Sequence, residues 1–225
     1  MTPIPIATTK LADPVTVSRT PARKPVEATS DPNSIDLLAR MSNRNTPVLG
    51  AANRKGRWVL QDGALSSIGT NDDIFRLPIR GLPSEYRIEM NITRLKSRPG
   101  RTDFWLCLML GENRCIVILD GWGGATSGIS WIDGKTADEN ETTHHGRVLL
   151  PQQPTKVIVT VNRGHIRVSG DGRQVIDWRG NITRLSINDD DIGGGSLLIA
   201  SFGSEFRVDK LTLTSLDGPI TKAQP

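Results

Sequence analysis

The chain has 225 residues, a formal net charge of +4, 14 prolines, 22 glycines and two cysteines. That length suits one large domain, and it holds neither an apolar run near the roughly 18–20 residues of a membrane span nor a signal-peptide start. Residues 1–58 carry nine Lys/Arg against four Asp/Glu, and residues 59–225 carry nineteen against twenty, so the rest of the chain lacks the basic stripe that reads phosphates and nucleic acid is excluded as a partner.

Residues 1–34 hold Pro3, Pro5, Pro14, Pro21, Pro25 and Pro32 among Thr, Ala, Ser and Lys. No helical or strand period survives those prolines, which predicts a disordered Pro-rich tail or linker acting as a spacer. Met1 is followed by sequence that reads as an interior linker, which points to a piece of a longer multidomain protein. The compartment stays open. Ser34 to Met41 predicts a short helix capped by Ser34, with Ile35, Leu38 and, at its end, Met41 facing the domain.

From Trp58 the period becomes two, with short Val, Ile, Leu and Thr runs between Gly, Asp, Asn and Pro, the pattern of an all-β domain. In Glu85–Leu95, Tyr86, Ile88, Met90 and Ile92 share one parity, and Arg87, Glu89, Asn91 and Thr93 the other, so one face is core and one is wet. Phe104–Leu110 and Cys115–Asp120 are almost continuously apolar, predicting a hairpin buried on both faces with its turn at Glu112-Asn113. That register puts Cys107 and Cys115 on opposite sides of the sheet, so no disulfide is expected and both read as core hydrophobes.

Val157–Val161, His165–Ser169 and Arg173–Trp178 read as a meander turning at Arg163-Gly164 and Asp171-Gly172. Ser196–Phe202 and Phe206–Thr214 read as a terminal hairpin through Gly203-Ser204. Phe206 and Val208 differ in parity from Leu211 and Leu213, which predicts a bulge near Asp209-Lys210. The expectation is a two-sheet jelly-roll sandwich over residues 35–216, with a C-terminal tail at 217–225; a parallel α/β fold is excluded.

Ile35-Asp-Leu-Leu38, Gly56 to Leu65, Leu119-Asp-Gly-Trp-Gly-Gly-Ala-Thr-Ser-Gly128, Ile132-Asp-Gly134, Asn140-Glu-Thr-Thr143, Gly146, Ile176-Asp-Trp178 and the closing Leu-Leu-Ile-Ala-Ser-Phe-Gly run carry a resemblance. Over about residues 35–215 the chain resembles the concanavalin A-like sandwich domains of planctomycete bacteria, related to the 3-keto-disaccharide hydrolase family. The resemblance implies the sandwich, and it implies either a module appended to other domains or a glycosidase.

The long connection Asp120–Gly146 is the most unusual segment, since a loop of this length in a compact sandwich binds something or covers a face. Trp122 among glycines could lie flat on a sugar ring, with Asp120, Asp133 and Asn140 bonding to hydroxyls and Thr142 and His144 close by. The plainer reading is that Trp122 plugs the end of the sandwich. Catalytic candidates are Asp133 and Glu141, which could converge through the loop, although the Glu-x-Asp-x-x-Glu strand pattern of the glucanases of this fold class is missing.

Adjacent His144 and His145 point to opposite faces of a strand, and Asp189-Asp-Asp191 lacks calcium-loop spacing, so no metal and no cofactor is expected. Asn91, Asn140 and Asn181 open Asn-x-Thr triplets, which the polar faces of strands explain for Asn91 and Asn181. The reading is a non-catalytic module that binds carbohydrate or a protein, with a glycoside hydrolase acting on 3-keto-disaccharides or related glycosides as the alternative.

Overall fold

The computed structural model describes residues 31–42, 58–69, 73–79, 81–100, 102–187 and 196–220. The Pro-rich segment 1–30 and Asp189–Asp191 lie outside them. Among the described residues no helix is long and apolar enough to cross a membrane.

Among the described residues fourteen strands form two antiparallel sheets in an open sandwich. The first sheet runs β12 (Arg173–Arg179), β11 (His165–Gly170), β10 (Pro154–Asn162), β5 (Tyr86–Ser97), β14 (Ser204–Ser215), β3 (Ala64–Ser67) and β2 (Trp58–Gln61), with β1 (Ser34–Asp36) also pairing β14. The second runs β4 (Asp73–Arg76), β13 (Leu198–Phe202), β6 (Asp103–Leu110), β7 (Asn113–Asp120), β8 (Thr126–Ser130) and β9 (His144–His145).

The core follows from parity. Tyr86, Ile88, Met90 and Ile92 are fully buried between the sheets, facing Leu106, Leu108, Cys115, Val117 and Leu119. The other parity of the second sheet is apolar too: Cys107, Ile116, Ile118, Leu198, Ala200 and Phe202 make a separate cluster on its outer side. Cys107 and Cys115 therefore lie on opposite faces, both buried and free. Burial pushes the Cys107 thiol up to about 11, so neither behaves as a ready nucleophile. The turn between β6 and β7 falls at Gly111-Glu112, one residue earlier than expected. That shift changes the pairing by two positions and so preserves the parity argument.

Three expectations needed correction. Ser34 to Asp36 pairs β14 as a strand, and the helix α1 begins only at Leu37 and runs to Ser42. Asp36, not Ser34, caps it, accepting from the Ala39 N–H at 3.0 Å, and Leu37 is buried beside Leu38 and Met41. β13 and β14 are no hairpin: β13 pairs β4 and β6, β14 pairs β5, and Gly203 at φ 69° carries the chain from one sheet to the other. Asn181 sits off the strands and caps a 3-10 turn at Ile182–Arg184. The meander and both its two-residue turns are as expected, and β14 breaks register between Val208 and Lys210. Packing carries past residue 216, where Asp217 accepts from Ser84 and Glu85 and Ile220 is buried.

Two side-chain arrangements make testable demands. A Cβ on Gly180 would come within 2.5 Å of the buried Trp178 ring, so Gly180→Ala is expected to cost about 1–3 kcal/mol in urea unfolding. On the outer face of the first sheet, Glu89 is hydrogen-bonded by Lys210 and Arg87 and paired with Lys156. Burial opposes its ionisation, but these three cations outweigh it and hold the carboxyl at about 2, against an ordinary 4.5. The folded value is the lower one, so the stabilisation is complete above about pH 4.5 and is lost as pH falls toward 2. Glu89→Gln should flatten that acid limb, by about 1–2 kcal/mol between pH 5 and 2; an unchanged limb would show the cluster to be energetically silent.

Candidate functional site

β7 ends in Asp120, whose backbone turns left-handed (φ 54°) and starts the reversal Gly121–Gly124 into β8. Trp122 (φ 50°) and Gly123 (φ 78°) continue in the same region. Gly124 (φ 90°) sits close against its neighbours, since a Cβ there would lie 3.2 Å from Thr102 Oγ1 and 3.3 Å from Arg147 Nη2. The turn is thus wedged between Thr102 and Arg147 while its indole stays 45% exposed. A large non-glycine side chain in left-handed backbone is strained, and such strain persists only where the surroundings over-determine it.

The surroundings here are a buried ion pair. Arg94 follows Ile92 on the core parity of β5 and is 2% exposed. Its Nη1 meets Asp120 Oδ2 at 3.3 Å and its Nη2 donates to the Leu149 carbonyl at 2.8 Å. Asp120 Oδ1 and Oδ2 also accept from the Val148 and Leu149 N–H groups at 2.7 and 3.0 Å, its N–H donates to Ser127 Oγ, and its carbonyl accepts from Thr102. Burial pushes the Asp120 carboxyl up and the Arg94 guanidinium down, each opposed by the other's charge. Asp120, expected at the ligand, is instead fully buried and turned inward; it anchors segment 147–149 under the Trp122 turn.

Asn140 and Thr142, expected to touch a ligand, are likewise occupied by their own loop. Asn140 Nδ2 donates to the carbonyls of Ile129, Lys135 and Thr136, while its Oδ1 accepts from the Thr142 N–H and hydroxyl. Thr142 Oγ1 in turn accepts from the Ile129 N–H at 2.8 Å. These bonds lay the loop over β8, where Ala137 meets Gly128 and joins the outer apolar cluster. The long connection therefore covers a sheet face.

The structure also separates the expected site residues. Thr126, at the start of β8, pairs His145 beside the Trp122 turn, whereas Ser130 at its end leads to Asp133; four strand steps put these ends about 13 Å apart. At the far end Arg184 joins Asp133 and Glu141: its Nη2 lies 2.6 Å from Asp133 Oδ2 and 2.9 Å from Glu141 Oε1. Trp178 Nε1 donates to the same Glu141 oxygen at 3.2 Å.

The two catalytic candidates do converge, but on a cation. Hydrogen bonds from Arg184 hold Asp133 below the usual carboxylate range. Glu141 is also lowered, its slight burial being outweighed by its own backbone, Trp178 and Arg184. A pair with both members depressed has no proton to give a leaving group at neutral pH.

Beside Arg147, which Gly124 of the Trp122 turn abuts, the surface opens into a cleft of about 420 Å³ between β9 and the β11–β12 turn. His144, His145, Arg147, Leu150, Arg173 and Val175 line it. β12 breaks register opposite Val168/Ser169, leaving Val175 as the extra residue on that wall, a bulge of the kind that re-aims side chains beside sites. Of the residues expected at a ligand, His144 lies in this cleft and Trp122 stands on the turn that abuts its Arg147. Arg94, Arg147, Arg173 and Arg184 went unnoticed in the sequence, though Arg94 carried a signal: a charge in phase with four core residues demands a buried partner. Two other hollows, of about 320 and 380 Å³, lie at the opposite end around Gly111 and Ser84, and no exposed aromatic lines either. Among the described residues no three His, Cys, Asp or Glu side chains gather as a metal site.

No protein-family model matches the chain, and no curated protein matches it in sequence. Solved structures do match in fold. A carbohydrate-binding module, CBM66 from Bacillus subtilis, superposes with a TM-score of 0.51 at 14% identity, over 76% of this chain and 94% of that one. The exoplasmic/lumenal domain of VIP36, in a Ca2+/Man3GlcNAc-bound form, gives 0.51 at 11% identity, over 76% and 86%. The GH43 protein BlXynB from Bacillus licheniformis gives 0.50 at 14% identity, over 85% of this chain but 40% of that one. At these identities the likeness is one of fold: this chain is a β-sandwich of the kind seen in lectins and carbohydrate-binding modules.

Proposed function

We propose that this domain is a non-catalytic carbohydrate-binding module that holds a glycan at the end of the sandwich, against Trp122 and the adjoining cleft. The observation that carries the reading is Trp122 itself: a half-exposed indole on a strained turn that is held by a buried ion pair and abuts Arg147, which lines a 420 Å³ cleft. A rigid exposed indole offers a flat apolar face to a sugar ring at little conformational cost. His144 adds a polar contact from the cleft wall, Asp120 supports the Trp122 turn from beneath, and Asn140 and Thr142 hold the loop over β8. Asp133 keeps Oδ1 open at the far end of β8 and could serve only a long chain. CBM66 and the VIP36 domain, which share the fold, are by their names a carbohydrate-binding module and a glycan-bound domain, which favours a sugar over a protein ligand.

Hydrolysis of 3-keto-disaccharides or other glycosides, the activity implied by the sequence resemblance, finds less support, because Asp133 and Glu141 are both held below the usual carboxylate range, Asp133 by Arg184 and Glu141 by its own backbone, Trp178 and Arg184. Saturation-transfer NMR of the purified chain against plant, algal and bacterial oligosaccharides, followed for hours, tests both readings. Transfer that vanishes in Trp122→Ala with no new anomeric signals is expected. New anomeric signals would establish a hydrolase, and silence across the panel would overturn sugar binding.

A further inference from the structure

The cleft beside the Trp122 turn is lined by Arg147 and Arg173. Arg87, Arg163, Arg184 and Arg207 are paired with Glu89, Glu85, Asp133 and Asp209. Arg147 and Arg173 have no carboxylate within ion-pair distance among the described residues. The acidic side chain in the cleft, Asp171, has Oδ1 engaged by the Lys156 N–H at 2.8 Å, and Asp120 behind Arg147 faces inward to Arg94, Val148 and Leu149. His144 and His145 add ring N–H donors, and exposed Leu150 and bulged Val175 add apolar surface.

We infer that the cleft selects a glycan carrying carboxylates, a uronate-bearing oligosaccharide, with Arg147 and Arg173 as its specificity-determining residues. This rests on the module reading above. A guanidinium matches a carboxylate with two parallel N–H donors, a fit that neither a neutral hydroxymethyl group nor an ester reproduces. The apolar surface of Leu150 and Val175 suits the C–H face of the same ring, and the Trp122 indole a neighbouring one.

The test titrates the full chain with tetrasaccharides of galacturonate, glucuronate and mannuronate, each beside its methyl ester, by calorimetry. At least one acid is expected to bind at least tenfold more tightly than its ester. That preference should vanish in the R147Q/R173Q double variant and shrink as NaCl rises from about 0.05 to 0.5 M, where screening shortens to a few ångströms. The double variant should keep the parent's thermal melt, which shows that it is folded, whereas Trp122→Ala should lose acid and ester alike. Equal binding of acid and ester by the parent chain, or an acid preference that survives in R147Q/R173Q, would overturn the inference and leave the module reading standing. Failure to bind any acid, ester or neutral oligosaccharide would overturn both.

Discussion

Arg94→Met is expected to lower the unfolding free energy by about 3–5 kcal/mol, a fall of roughly 10 °C in Tm for a domain of this size. The substitution removes the guanidinium that meets the Asp120 carboxylate at 3.3 Å, while the carboxylate stays fully buried on two backbone N–H groups. It also removes a donor from the Leu149 carbonyl. Breaking one half of a buried pair is costly because the other half is left uncompensated, whereas replacing both by apolar groups can be nearly neutral. Arg94→Met with Asp120→Leu is therefore expected to recover part of the loss in Tm. It should still lose glycan binding, because segment 147–149 and the Trp122 turn are both tethered to Asp120. Urea unfolding of the single and double variants gives the coupling directly. A single variant within about 0.5 kcal/mol of the parent would show that the pair does not organise this end of the sandwich.

Trp122→Gly should separate stability from binding. Relief of the left-handed backbone returns about 1–2 kcal/mol, offset by about 0.5–1 kcal/mol for glycine's larger unfolded-state freedom and by the indole's remaining contacts. The unfolding free energy should thus stay within about 1 kcal/mol of the parent. Affinity for any oligosaccharide the domain binds should fall at least tenfold, since a central aromatic contact contributes about 2 kcal/mol or more. Calorimetry beside a thermal melt reads both quantities. If binding survives the loss of the indole, Trp122 is no platform. If stability falls by several kcal/mol, it is the plug that the plainer reading of the sequence described.

The architecture was legible because it is written in parity. Alternation through Tyr86–Ile92, continuous apolarity through β6 and β7, and Asp171-Gly172 between two alternating runs give a sandwich whatever the register of the whole, since each apolar face must find another. The parity change in β14 even located its bulge. Gly203 misled because a short glycine turn between two apolar strands is the signal of a hairpin and equally that of a crossing between sheets. Nothing local tells which sheet the second strand will join.

The site was legible only in part. Residue types in Asp120–Gly146 marked the segment that departs from the strand pattern, and Trp122 is exposed there. The partners of the acids were out of reach, because they come from elsewhere in the chain: Arg94 reaches Asp120 from 26 residues away and Arg184 reaches Asp133 from 51. The sequence by itself determined the strands, the two-sheet core and the segment that departs from them, because periodicity and turn chemistry act over a few residues. The tertiary structure decided which charges are spent inside the fold and which, like Arg147 and Arg173, line a cleft outside any ion pair of the described residues, because electrostatic pairing is a property of distance in space.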